Sequence, residues 1–241
     1  MKNTVIIGAA VLASAIVAGN AYTYKFRQQE TVTVTGLGET EFTSDLIVWR
    51  GTVTAEASNV ETGYAQIESS KKKVLDYIVA KGIPAEAVVF QFVNVNKRYE
   101  PIYTENGNWG GQRFTGYELR QNFTVESDLV ETVENISREI SSLIAQGVSI
   151  DAYEPSYFYS RLDDVKLDLI EKASVDARNR AQKISSNAGT SKVGKLVSSR
   201  MGVFQITGAN SNEEFSAGGS FNTSSRQKKA RVTIRAEYRI R

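Results

Sequence analysis

The 241-residue sequence contains no cysteine and no histidine. The first absence removes thiol nucleophiles, disulfides and thiolate metal sites together, and it suits an oxidising compartment where a stray thiol is a liability. The second removes the commonest general base near neutral pH and the commonest transition-metal ligand, so a Ser-His-Asp triad or a histidine zinc site is excluded. Chemistry through Asp, Glu, Lys or Tyr stays open. The expectation is nevertheless a non-enzyme with no catalytic residue, no cofactor and no metal. A large excess of one charge is missing too. Against 27 acidic residues stand 29 basic ones, a net +2, which gives no drive toward nucleic acid. What is present is ordinary for a globular chain, 41% hydrophobic and 23% charged, long enough for one large domain or two small halves.

Lys2 precedes an apolar run, Val5 to Ala18, inside an uncharged stretch that lasts until Lys25. The run is as long as a signal-peptide core, and Gly19 and Ala21 stand at the spacing a signal peptidase reads. An uncleaved anchor is the other reading: Thr4 to Tyr24 is long enough to cross a bilayer as a helix, with Tyr22 and Tyr24 at the interface. Residues 1–27 are therefore expected to be a signal peptide or membrane anchor, with contact to the membrane through 4–24. Residues 28–241 would form the folded domain in the extracytoplasmic, periplasmic part of the cell envelope.

In that domain Thr31 to Thr35 alternates as a short strand, which Gly36-Leu37-Gly38 ends or bends. Ile47, Trp49, Gly51, Val53 and Ala55 share one face of a second strand. Asn59 caps a helix with Val60, Tyr64, Ile67, Val74, Leu75 and Ile78 on its stripe, closed at Gly82. A strand from Val88 to Arg98, a loop from Asn106 to Gly111, and a return strand with Tyr117, Leu119, Phe123 and Val125 follow. A second long helix carries Leu129, Val133, Ile136, Ile140, Leu143 and Ile144. Both helices close alike, at Lys81-Gly82-Ile83 and Gln146-Gly147-Val148, so two similar strand-helix-strand units are expected. The third helix, from about Leu162 to Ala188 and ended by Gly189, has the small stripe Ala173, Ala177, Ala181. The last strand alternates Ala230, Val232, Ile234, Ala236, Tyr238 with Arg231, Thr233, Arg235, Glu237, Arg239. The fold class is α+β, a mixed or antiparallel sheet with three long helices behind an N-terminal hydrophobic segment.

Ordered motifs run through the domain: Gly36-Leu37-Gly38-Glu39, then Asp45, Gly82 before Ile83, Gly116-Tyr117, Ala173-x-x-Asp176-Ala177-Arg178-x-x-Ala181, the helix-ending Gly189, and Gly194-Lys195-Leu196. In this order they resemble the SIMPL-domain family, which includes bacterial periplasmic and outer-membrane-associated immunogenic proteins. Two departures stand out. Ser44 occupies a position that is commonly proline, and the segment after Arg98 keeps only Pro101 and Tyr103 of the usual form. The resemblance implies an envelope protein whose relatives build ring-like homo-oligomers and are linked to stress defence. It brings no catalytic residue and no ligand identity.

Several features have both a sharp and a plain reading. Asp163, Asp164 and Asp168 offer oxygen ligands to a cation but equally cap a helix. Gly36 and Gly38 lack the third glycine of a phosphate loop and read as a turn. Glu213 and Glu214 fall in a flexible Gly- and Ser-rich loop. Tyr153, Tyr157, Phe158 and Tyr159 are either contact surface or core. The arginine face of the last strand is either solvated or meets headgroups or a partner. The expected function is a self-associating envelope module. The alternatives are a small-ligand binder with a pocket under the Asn106–Gly111 loop, or a hydrolase that uses paired carboxylates such as Asp45, Glu100 or Asp164.

Overall fold

The computed structural model describes residues 2–26, 31–189 and 192–240. Its elements are α1 (Lys2–Phe26), β1 (Thr31–Thr43), β2 (Leu46–Ala57), α2 (Val60–Ala80), β3 (Val88–Tyr103), β4 (Trp109–Ser127), α3 (Val130–Glu139), β5 (Ser149–Ala152), β6 (Ser156–Phe158), α4 (Leu162–Asn187), β7 (Val193–Met201), β8 (Gln205–Gly208), β9 (Ser220–Phe221) and β10 (Gln227–Ile240). The chain divides into two compact units.

One unit comprises Glu39–Leu169 and Val203–Arg231. Its main sheet has the order β3-β4-β2-β5, with β6 also on β2, and its pairings are antiparallel. The two expected strand-helix-strand units are thus β2-α2-β3 and β4-α3-β5, and they interleave: a strand of each lies between the two strands of the other. This is the split βαβ arrangement of ferredoxin-like folds. The repeated helix grammar of the sequence reflects it, since both helices cover the same sheet.

The core between them is apolar and continuous, holding Ile47, Trp49, Val53, Ile67, Val74, Ile78, Leu119, Phe123, Val133, Ile136, Ile140 and Leu143. Trp49 meets Phe123 edge-on at 5.3 Å. Gly51 makes this possible, because a Cβ there would lie 2.4 Å from the Phe123 ring. The stripe of α2 is turned relative to expectation. Gly63, Ile67, Ser70, Val74 and Ile78 are buried, whereas Val60 and Tyr64 are exposed. Gly63 is the reason: its missing side chain lets Leu119 press on the helix.

The second expected long helix is instead a ten-residue α3 followed by a 3₁₀ segment, Ile140–Gln146. Three residues per turn keep Ile140 and Leu143 on one line into the core and leave Ile144 exposed. The strands of the hairpin also run further than expected. β3 continues to Tyr103 and β4 begins at Trp109, so only Thr104–Asn108 turns the chain. In β3 a bulge sets Gln91 and Phe92 against one residue of β4. The freed Gln91 carbonyl accepts from Gln121 Nε2 at 2.7 Å, which explains a buried glutamine on an apolar face.

The other unit comprises Met1–Gly38, Ile170–Gly202 and Val232–Arg241. In it β7 pairs antiparallel with the end of β10, with Ile234 opposite Met201 and Ala236 opposite Ser199. β1 neighbours β10 in the same sheet. Gly36-Leu37-Gly38 was expected to end or bend β1. The strand runs on to Thr43, because Val34, Gly36 and Gly38 fall on its buried face as strand alternation requires.

At the N-terminus residues 4–24 are helical. Among the described residues, no helix is long and apolar enough to cross a membrane, so the transmembrane form of the segment is not found there. Ser14, Gly19 and Asn20, all exposed, interrupt its apolar run. The side chains of 4–7, 9–11 and 24, and the boundary expected at 27/28, lie outside the described residues.

Candidate functional site

The motif residues are best read from the contacts they make. Gly36 lies against α4: a Cβ there would sit 2.1 Å from the Ala173 carbonyl and 2.4 Å from the Ala177 amide nitrogen. Strand and helix backbones touch at this point, and Ala173, Ala177 and Ala181 are fully buried to allow it. Asp176, on the same helix, accepts from the Leu37 amide at 2.8 Å and from Arg180 Nε at 2.8 Å. The Gly-x-Gly and Asp-Ala-Arg motifs are therefore two halves of one joint. The small stripe of the helix thus meets Gly36 at Ala173 and Ala177.

Glu39 reaches two cations of β10. Lys229 Nζ lies 2.5 Å from its Oε1, and Arg231 pairs with Oε2. The Lys229 hydrogen bond, ahead of the Arg231 one, holds the Glu39 carboxyl below its ordinary range although burial opposes this. Arg231 also stacks over Phe215 at 5.3 Å.

Asp45 anchors the entry to α4. Ser160 donates its amide to Oδ1 at 2.7 Å and its hydroxyl to Oδ2 at 2.6 Å. Burial disfavours the ionised Asp45, but the Ser160 bonds outweigh it and the pKa is lowered. Gly82, Gly116, Gly147 and Gly189 have positive φ. Gly116 is the most constrained, with a Cβ there 2.5 Å from the Ala57 carbonyl. Its neighbour Tyr117 packs edge-on against Phe114 at 5.2 Å. Gly194 sits where β7 slips register against β10, with the Arg239 carbonyl 3.1 Å from its would-be Cβ.

Among the described residues the candidate acids make separate contacts. Asp45 is taken by Ser160, Glu100 pairs with Arg113 at 3.1 Å, and Asp163 pairs with Lys166 at 2.8 Å. Among the described residues no group of three or more Asp, Glu, His or Cys could hold a metal. The Asp163, Asp164 and Asp168 segment is the first part of a helix, where carboxylates favour the positive end. Residues 94–110 are all exposed, and the turn closes on itself through Thr104 N to Asn108 O at 2.9 Å.

The loop expected to be flexible is instead tied down, around a residue that sequence reading missed. Lys228 is 1% exposed. Its Nζ donates to the Asn222 carbonyl at 2.6 Å, and Asn222 Nδ2 donates to Glu213. Glu213 also accepts from the Gly208 amide at 3.2 Å. Desolvation pushes the Lys228 pKa down to about 8, with Glu213 acting in the opposite direction. The Asn222 bond, followed by Gly208 and Ser211, keeps Glu213 low despite burial. The alternation of β10 held the signal, since 228 has the parity of the inward Ala230 and Val232.

The most distinctive surface is the outer edge of the main sheet. β3 is the terminal strand, and among the described residues no strand pairs with its outer edge. β2 covers β4 only over Tyr117–Ser127, so residues 99–114 are a two-stranded ribbon beyond the sheet. It carries exposed Tyr99, Ile102, Tyr103, Trp109 and Phe114, with Phe92 75% exposed lower on the same strand. The tyrosines weighed at 153–159 divide differently. Tyr157 is core, Tyr153 is exposed, and Phe158 packs toward Phe221 at 6.4 Å.

No curated protein matches this chain. The SIMPL family, described as protein of unknown function, matches residues 32–238, and with its Gly-x-Gly strand and Asp-Ala-Arg helix joined as one contact, the chain belongs to that family.

Proposed function

We propose that the protein is a non-enzymatic cell-envelope module that acts by self-association through the free edge of β3 and its aromatic ribbon. The observation that carries this reading is the edge itself: a 16-residue strand open on one side. Such an edge is a template for another strand; β3 carries edge-restricting residues at Lys97, Arg98, Glu100 and Pro101, and leaves its aromatic side chains uncovered. Here Phe92, Tyr99 and Tyr103 are displayed along β3 and Trp109 on the adjoining start of β4, the residue types that concentrate at protein interfaces. A two-stranded ribbon alone is marginally stable in water, so pairing would also order residues 99–114. Extracytoplasmic location is supported by the uncharged stretch 4–24 and by the lack of cysteine. A role in stress defence follows from the family resemblance.

The test is light scattering on the full chain at micromolar concentration. A discrete oligomer is expected, reduced to monomer by Phe92→Lys with Trp109→Ser. A monomeric wild type would overturn the reading, as would an oligomer indifferent to both changes. A reporter fused behind Arg241 and found in the cytosol would overturn the location.

A further inference from the structure

The outer face of β1, β10 and β7 holds a second unassigned feature. Alternation that turns Val34, Val232, Ile234 and Ala236 inward leaves Thr33, Arg235 and Glu237 outward. Arg235 lies directly opposite Arg200 in the β7–β10 register. Like charges at facing positions repel, and sheets ordinarily set an opposite charge there. Among the described residues neither guanidinium has a carboxylate at ion-pair distance, although other arginines of the chain do, as Arg180 with Asp176 and Arg113 with Glu100. The near acid, Glu237, instead accepts from Ser198 Oγ at 3.1 Å. Thr33, Ser198, Arg200, Arg235 and Glu237 together line a depression of about 290 Å³.

We propose that this depression binds a phosphate group, held between the guanidiniums of Arg200 and Arg235 with the Thr33 hydroxyl donating at its rim. The anion supplies the charge that the register omits. Guanidinium forks match phosphate oxygens in geometry as well as sign. Glu237, the carboxylate in the lining, accepts from Ser198. Self-association through β3 plays no part in this site.

The test uses the full chain at fixed ionic strength. One arm measures equilibrium dialysis against radiolabelled inorganic phosphate. The other measures flotation with phosphatidylglycerol vesicles against phosphatidylcholine alone. Saturable binding is expected in at least one arm, weakened tenfold or more by Arg200→Gln or Arg235→Gln and unchanged by Arg178→Gln. Binding in the dialysis arm assigns free phosphate, and binding confined to vesicles assigns a lipid headgroup. Arg200→Glu sets a carboxylate opposite Arg235, so it should abolish binding and raise Tm. Binding in neither arm, binding indifferent to both glutamine variants, or a lower Tm for Arg200→Glu would each overturn the proposal.

Discussion

Lys228 gives the sharpest test of the energetics. Its side chain is buried, and desolvation brings its pKa from 10.5 to about 8. That change corresponds to about 3 kcal/mol, the cost of keeping an ammonium there. Below pH 8 both folded and unfolded chains carry that proton, and the full cost is present. Between pH 8 and 10.5 the unfolded chain binds more protons than the folded one, so stability rises with pH. Above 10.5 both forms are neutral and the cost is gone. The assay is urea denaturation of wild type and Lys228→Met from pH 7 to 10.5, taking the difference so that other titrating groups cancel. Methionine leaves the Asn222 carbonyl without its donor, about 1 kcal/mol at every pH. The variant should therefore exceed the wild type by about 2 kcal/mol at pH 7 and fall below it by about 1 at pH 10.5. Glu213→Gln removes the charge that favours the ammonium and should move the rise to lower pH. A pH-independent difference between wild type and Lys228→Met would refute the reasoning.

Gly36→Ala drives a Cβ into the backbone of α4 and should cost about 3 kcal/mol in denaturant unfolding; an unchanged midpoint would mean that strand and helix do not touch. Asp45→Ala removes both Ser160 bonds and should cost about 1–3 kcal/mol at pH 7. Because the folded Asp45 pKa is lowered, that contribution is present above the unfolded value and is lost as pH falls through the folded one. An acid-unfolding curve unchanged by Asp45→Ala would contradict this. Among the described residues the buried Ser44 hydroxyl has no partner, while its amide donates to the Arg226 carbonyl at 2.9 Å. Ser44→Ala should thus be neutral or gain up to about 1 kcal/mol, and Ser44→Pro should lose the amide bond and be destabilising, both read by thermal melting.

Local grammar was legible in the residues. Alternation identified β2, the inward face of β4 and β10, and Asn59 caps α2 through the Thr62 amide as its position suggested. Gly82 has the positive φ of a helix end. The repeat of two strand-helix-strand units was visible because each unit must bury one helix stripe on one sheet. The motif order identified the family. Where reading failed, a distant residue decided. Gly36 and Gly38 looked like a turn because no local signal distinguishes a turn glycine from one that admits another backbone. The α2 stripe rotated because Leu119, more than fifty residues away, fills the space above Gly63. Trp109 looked like part of a loop because its cross-strand partner Tyr103 lies beyond a turn.

Composition, compartment signals and strand and helix periods follow from each residue's own chemistry and near neighbours, so the sequence by itself determined the α+β class, the lack of thiol and imidazole chemistry and the family. Tertiary structure alone decided that two motifs form one joint, that Lys228 is desolvated, that β3 is an open edge, and that Arg200 faces Arg235. Each of these depends on which strands become neighbours, and register between segments far apart in the chain is set by the packing of the whole unit.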